Sequence, residues 1–218
     1  GGFVHSSIPL SEQVLRDLGQ RSDAFEVSVT QDLSLISAQN LGGFDGVFFY
    51  TTGELPLSSA QKQALLDFVR GGKGFGGVHS ATDTSYTWPE YGDLIGGYFD
   101  GHPWTQVVTI QVEDPDHPAV RHLAPSFTIL EEIYQFRSFS RERVRALMTL
   151  DTRSVDMNAP GINRTDGDFA LAWVRPYGSG RVFYSALGHF EETWRDARFQ
   201  QHLLDGIRWM LGDLAGSA

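Results

Sequence analysis

Gly71-Gly-Lys-Gly-Phe-Gly-Gly-Val-His79-Ser-Ala-Thr-Asp83 is the stretch on which the reading of this chain turns. Residues 75–78 have the character of a short buried strand entered through glycines, and the chain then turns at His79 into a polar run. In open α/β sheets ligands bind in the crevice beyond the carboxyl ends of the strands, so a residue at such an end faces that crevice. A sharp strand-to-helix turn between small residues, here Gly77 and Ala81, is also how nucleophile elbows are made. The tip of this one is a histidine, so the usual acyl-enzyme nucleophile is missing. A glycine-rich turn can equally be only a turn, and a lone histidine at a strand end can simply bond backbone. The functional reading of His79 gains weight from other histidines placed in the same way.

Working outward, the flanks alternate between strand and helix. Upstream, residues 46–50 form a continuous apolar run suited to a buried parallel strand. Ser58 or Ser59 then caps a helix to Arg70, ended by Gly71-Gly72. Residues 25–30 alternate Phe, Val and Val with polar residues, which predicts a half-buried strand. Residues 33–41 read as a short helix or turn. Ser7 and Pro9 open a helix carried by Leu10, Val14, Leu15 and Leu18. A loop opening onto a helix normally follows a strand, so the first strand is expected upstream of residue 1. Such spacing predicts a doubly wound, mostly parallel sheet.

Downstream, a helix over 88–95 is followed by strands at 105–112, 127–136 and 144–150 with no long helix between them. These form an antiparallel extension of the sheet. Residues 151–168 read as a long surface loop near the site. Strands at 169–175 and 180–185 meet at the turn 177–180, and an amphipathic helix over about 196–214 closes the chain. Residues 1–218 form a single domain on this reading.

Composition excludes several functions. The apolar fraction is 41%, and five Trp and fifteen Phe are enough for a substantial core. The formal net charge is −10, only Lys62 and Lys73 are lysines, and no basic block exists. Phosphate backbones need clustered cations, so neither nucleic acid nor an anionic membrane is an expected partner. A neutral sugar or a metal cation is compatible. Absence of cysteine removes disulfides, thiolate metal sites and a Cys nucleophile. No apolar run approaches the roughly 18 residues that cross a bilayer. No signal peptide is visible within the sequence, although an upstream leader would not be seen. The compartment therefore stays open.

His5, His79, His102 and His189 all fall on loops expected to gather at one sheet edge. Neutral imidazoles suit divalent Zn, Mn, Fe or Co, and two or three with a carboxylate make an open catalytic site. His189 follows a strand through Gly188 and has Glu191 and Glu192 close behind, the ingredients of an oriented base. Glu132 and Tyr134 share one face of a strand, with Glu131 and Ile133 on the other. Burial would make Glu132 an acid, a base or a ligand. Asp83 and Thr84 can accept sugar hydroxyls, and Asp83 can orient His79. Trp88, Tyr91 and Trp104 offer flat faces for sugar stacking, although aromatics more often build the core. His117, His122 and His202 read as structural.

Taken together, these residues resemble the ThuA-like, or trehalose-utilisation, family. The resemblance rests on Gly2-Phe-Val-His5-Ser-Ser-Ile8, Gly76-Gly-Val-His79-Ser-Ala-Thr-Asp83, Tyr98-Phe-x-x-His102-Pro, Glu131-Glu-Ile-Tyr134 and Gly180-Arg-Val-Phe-Tyr…Gly188-His189. Where the family commonly shows Asp-Glu, this chain has Glu131-Glu132, so Glu132 is the matching residue. The resemblance implies a flavodoxin-like fold similar to class I glutamine amidotransferases. His79 then replaces the amidotransferase Cys, and His189 and Glu191 stand where its His and Glu would be. It implies carbohydrate catabolism by a metal-assisted lyase or hydrolase. The substrate would be a 3-keto-glycoside supplied by a partner sugar 3-dehydrogenase, with no nucleotide cofactor in this chain. In that reading His79 or His189 removes the C2 proton, Glu132 is acid or ligand, and Tyr134, Thr84, Trp88, Tyr91 and Glu191 bind substrate. Alternatives are a metal-dependent hydrolase or isomerase acting on another small polyol, and a non-catalytic carbohydrate-binding protein with a degenerate amidotransferase-like cleft. Exposed Trp or Phe on the antiparallel extension would point to a homodimer.

Overall fold

The computed structural model describes residues 2–217. Helix α1 (Ile8–Ser22) and a short α2 (Ala38–Leu41) precede strand β1 (Gly46–Phe49). Helix α3 (Ser59–Arg70) leads to β2 (Gly74–Val78). Helix α4 (Pro89–Ile95), β3 (Tyr98–Phe99), β4 (Trp104–Val112), β5 (Ser126–Ile133), β6 (Phe136–Arg137) and β7 (Arg145–Leu150) follow. The chain continues with β8 (Ala170–Tyr177), β9 (Gly180–Ser185), α5 (Glu191–Arg195) and α6 (Ala197–Leu211).

Seven strands form one mixed sheet in the order β1-β2-β9-β8-β7-β4-β5. β1, β2 and β9 are parallel, and the pairings from β9 to β5 are antiparallel. The expected parallel core with an antiparallel extension is therefore present. β5 runs in the same sense as β9, because four reversals separate them. Their carboxyl ends thus lie at the same edge of the sheet.

Alternation along β2 sets the two helical layers. A Cβ on Gly74 would meet Met210 Cγ of α6 at 2.7 Å, and one on Gly76 would meet Phe48 at 2.4 Å and Met210 Sδ at 2.9 Å. Gly77 points the opposite way, toward Ile95 of α4 and Ala81. Glycine is needed on the first face because α6 lies directly on the strand. At the start of α3, Ser58 and Gln61 make a reciprocal capping box.

Some expectations fail. Residues 25–30 have no regular secondary structure and pair with nothing among the described residues, so they form no strand. A β ladder requires a neighbour as well as an alternating pattern. β1 is correspondingly an edge strand, half-buried over most of its length rather than enclosed. Ser7 does not cap α1 with its side chain. Its hydroxyl instead bonds the Tyr50 hydroxyl at 2.8 Å and the Gly188 carbonyl at 3.3 Å. The expected last helix is present as α6, capped by Asp196, and a separate short α5 precedes it. No helix among the described residues is long and apolar enough to cross a membrane.

His117 is buried against Trp209 of α6 and His202 is buried on α6 itself, and neither belongs to the cluster of His5, His79 and His189. His202 Nδ1 lies 2.8 Å from the Ala119 carbonyl and Nε2 3.1 Å from Ser185 Oγ. Burial pushes His117 down to about 4 and His202 down to about 3. Both are therefore neutral in the folded chain while the unfolded chain protonates near 6.5. Unfolding takes up these protons, so their contribution is complete above 6.5. It falls as pH drops toward 4, by about 1.4 kcal/mol per pH unit for each proton. Burial raises Glu131, which acts in the opposite sense at lower pH. Urea midpoints should fall steadily from pH 7 to pH 5, and His202→Gln should flatten the slope. A flat profile would contradict this assignment.

Candidate active site

The carboxyl ends of β2, β9 and β5, with the segment before α1, converge on one group of side chains. Three histidines, His5, His79 and His189, each offer a ring nitrogen, and these nitrogens lie within 4.8 Å of one another. Gly2 N–H donates to the Thr52 carbonyl at 2.9 Å, which docks the segment bearing His5 beside the end of β1. β4 pairs with β7 only over residues 110–112, whereas it pairs with β5 from Trp104 to Gln111. The free half of this hairpin curls away from the sheet and brings the end of β5 against α5.

His79 sits at the tip of the elbow with φ of +46°, a left-handed conformation uncommon for a residue other than glycine. The Tyr184 hydroxyl, donating at 2.7 Å to the His79 carbonyl, and Tyr91, donating at 2.6 Å to the Ala81 carbonyl, brace the turn. Such local strain is concentrated where surroundings over-determine the backbone, often at functional sites. His79 Nδ1 lies 2.9 Å from the Ala186 carbonyl, which can only accept. The proton is therefore on Nδ1, and the Nε2 lone pair faces the cluster. Tyr134 donates its hydroxyl to that Nε2 at 3.0 Å. His189 Nδ1 is 3.2 Å from it.

Glu132 joins the group from β5. One carboxylate oxygen is 3.5 Å from His79 Nε2 and 3.2 Å from His189 Nδ1, and the other is 3.4 Å from His102 Nδ1. Burial opposes its ionisation, but the bond from His189 and the positive charge of His189 and His102 prevail and hold it well below the usual carboxylate range. Its bond to Glu132 raises His189 against the opposing effect of burial. Burial, reinforced by His79 and His189, lowers His5 to about 4, with Glu132 opposing. His5 is buried and its Nδ1 has no hydrogen-bond partner. An orphaned imidazole nitrogen is costly unless something binds it.

A divalent cation fits this donor set. The 3.2 Å between His79 Nε2 and His189 Nδ1 approaches the roughly 3.3 Å between ligand atoms of a tetrahedral ion with bonds of about 2.0–2.1 Å. The Ala186 carbonyl fixes the His79 tautomer in the manner of an outer-shell partner.

The other candidates fall in different places. His102 is half exposed at the rim, stacked on Phe99, and meets the cluster through Glu132 and the ring of Tyr134. Asp83 accepts from the Tyr86 hydroxyl at 2.6 Å and does not orient His79, a role taken by Ala186. Thr84 is wholly buried, bonded to Thr51 and to the Ser80 carbonyl, so it has no hydroxyl to spare for a sugar. Trp88, Tyr91 and Trp104 are core residues and offer no stacking face. Glu191 is paired with Arg195 on its own helix at 2.7 Å and bonds none of the histidines. The aromatics beside the cluster are instead Phe3, edge-on to His5 and 67% exposed, and Phe190 against His189. Sequence reasoning passed over Phe3, although it lies within the opening motif. It also passed over Tyr50, whose hydroxyl donates to the Gly188 carbonyl at 2.9 Å.

The family model for ThuA, described as trehalose utilisation, matches residues 1–210. The chain belongs to the ThuA family. A ThuA-like protein from Bacteroides uniformis superposes with a TM-score of 0.77 at 25% identity, covering 93% of this chain and 83% of that one. Another ThuA-like protein, from Parabacteroides merdae, gives 0.75 at 19% identity over 100% and 90% of the two chains. The cytoplasmic protein STM1381 of Salmonella typhimurium gives 0.65 at 10% identity, over 92% and 86%, and shares the fold. No curated protein is significantly similar in sequence. The ThuA assignment relates the chain to carbohydrate utilisation.

Proposed function

We propose that this ThuA-family chain is a metal-assisted enzyme of carbohydrate catabolism that cleaves 3-keto-glycosides. The observation that carries the reading is the three-histidine cluster with an ionised Glu132 against it and an unpartnered nitrogen on buried His5. His5, His79 and His189 would hold the cation, with Glu132 beside them. A bound divalent ion supplies a Lewis acid for a sugar carbonyl.

A keto group at C3 acidifies the proton at C2. Glu132 takes that proton, with its carboxylate lying between the buried histidines and the rim. The C2–H electron pair forms the C1=C2 bond as the C1–O bond breaks, and the leaving oxygen is protonated from the rim, where His102 stands. Glu132 is given the role of base because its carboxylate reaches the rim, with one oxygen 3.4 Å from His102 Nδ1. This replaces His79 or His189 in that role, since both are better used as ligands. Tyr134, donating toward the same centre, can bond the substrate oxygen. The finer fold reading, a flavodoxin-like arrangement related to class I amidotransferases, is supported by the parallel trio β1-β2-β9 with α4 and α6 on opposite faces. A sugar 3-dehydrogenase would supply the substrate.

Incubation with a 3-keto-glucoside should release the aglycone, EDTA should abolish release, and added Zn²⁺ or Mn²⁺ should restore it. Sugar binding by calorimetry without turnover under any divalent metal would instead favour a carbohydrate-binding protein.

A further inference from the structure

Glu131 is the strongest feature that the proposed reaction leaves unused. Its side chain is wholly enclosed, and it forms no salt bridge with Lys or Arg among the described residues. Four donors converge on it instead. Gly188 N–H and the Thr193 hydroxyl donate to Oε2, each at 2.8 Å. Glu132 N–H donates at 3.0 Å and His189 N–H at 3.1 Å to Oε1. These donors come from the end of β5, the turn after β9 and helix α5.

We infer that Glu131 is a positioning residue that fixes His189 and Glu132 against each other. The turn it clamps is built on Gly188, whose φ of +119° lies in the region where glycine is most at ease. With no Cβ to restrict it, that turn needs bonds from outside. Its carbonyl side is held by Tyr50 and Trp194, which donate to the Gly188 carbonyl at 2.9 and 2.8 Å. Its amide side is held by Glu131 alone. A carboxylate suits the task because both oxygens accept and neither donates. Glutamine has one acceptor oxygen, and its NH₂ would face backbone N–H groups, so one pair of donors would lose its partner. This inference rests on reading the cluster as the working site.

The test uses the full chain carrying Glu131→Gln, with circular dichroism to confirm folding. In the metal-free wild type the amide protons of Gly188, His189 and Glu132 should resonate far downfield. In E131Q at least one pair should move upfield, and the His189 ring signals should shift or broaden. Zn²⁺ affinity by calorimetry should weaken by about 10–100-fold, the range for outer-shell partners. Turnover of a 3-keto-glucoside should lose kcat with KM little changed. Should E131Q not fold, Thr193→Val removes one donor only, and the Gly188 amide should still shift while Zn²⁺ affinity falls a few-fold. If the wild type neither binds Zn²⁺ nor turns over sugar, the functional reading falls, and the NMR comparison alone decides the positioning role. His189 ring signals and the three amides unchanged in the variants would overturn the inference, as would unaltered Zn²⁺ affinity and kcat.

Discussion

Glu132→Gln is expected to lower kcat on a 3-keto-glucoside by about 10²–10⁴-fold, the range for a positioned acid or base. The amide keeps the size of the carboxylate, so Trp104, Ile133 and the rest of the hairpin stay packed. What it loses is the ability to take a proton. It also loses the charge that faces His79, His189 and His102 at 3.5, 3.2 and 3.4 Å. A second readout comes from His189. Its raised pKa depends first on the bond to Glu132, so in metal-free E132Q it should titrate lower by NMR. The sign follows from linkage. A histidine raised in the folded state contributes stability that is complete below 6.5 and lost as pH rises through its folded value. Because Glu132 is itself held low, the advantage of the wild type over E132Q should be largest between about pH 4.5 and 6.5 and shrink on either side. Turnover within threefold of wild type would remove Glu132 from the chemistry.

His79→Asn is expected to weaken Zn²⁺ binding by on the order of 100-fold or more, since on the proposed reading it removes one of three nitrogen ligands rather than an outer-shell partner. Asparagine is the informative replacement because it tolerates a left-handed backbone, which His79 adopts at φ +46°. His79→Ala also removes the imidazole, but it lacks the short polar side chain that lets asparagine hydrogen-bond locally in a left-handed backbone. The two variants should share the binding defect and differ in stability. In wild type, Zn²⁺ at 100 times its dissociation constant should stabilise by about 2.7 kcal/mol, and the unfolding midpoint should rise accordingly. At the same metal concentration neither variant should gain more than about 0.4 kcal/mol. A Zn²⁺-dependent rise in His79→Asn equal to that of wild type would show that the elbow histidine is not a ligand.

The legibility of the site differed by residue. His79 and His189 could be placed because each follows an apolar strand through a sharp turn, and a parallel sheet puts such ends at one edge. Glu132 with Tyr134 could be paired because strand side chains alternate. Glu131 was set aside for the same reason, as the residue on the opposite face. That face proved to be the interior contact with α5, not solvent. Trp88, Tyr91 and Trp104 have the composition of a sugar platform, but an aromatic next to an elbow can equally be the wedge that supports it. Thr84 and Asp83 are spent on local bonds that no pattern announces. Residues 25–30 show the converse, a strand pattern without a strand, because pairing requires a neighbour that alternation cannot supply.

By itself the chain's order of residues determined the strand–helix alternation, the elbow at His79 and the absence of a cysteine nucleophile. These follow from local periodicity and composition, which act over a few residues. Tertiary structure alone decided which carboxylate meets the histidines. Glu132 lies on β5, four strands from β9 in the sheet order, and only the curl of the β4–β5 hairpin, freed from β7 beyond residues 110–112, returns it to the edge where His79 and His189 stand. Curvature arises from packing between distant segments, and no short stretch of sequence carries it.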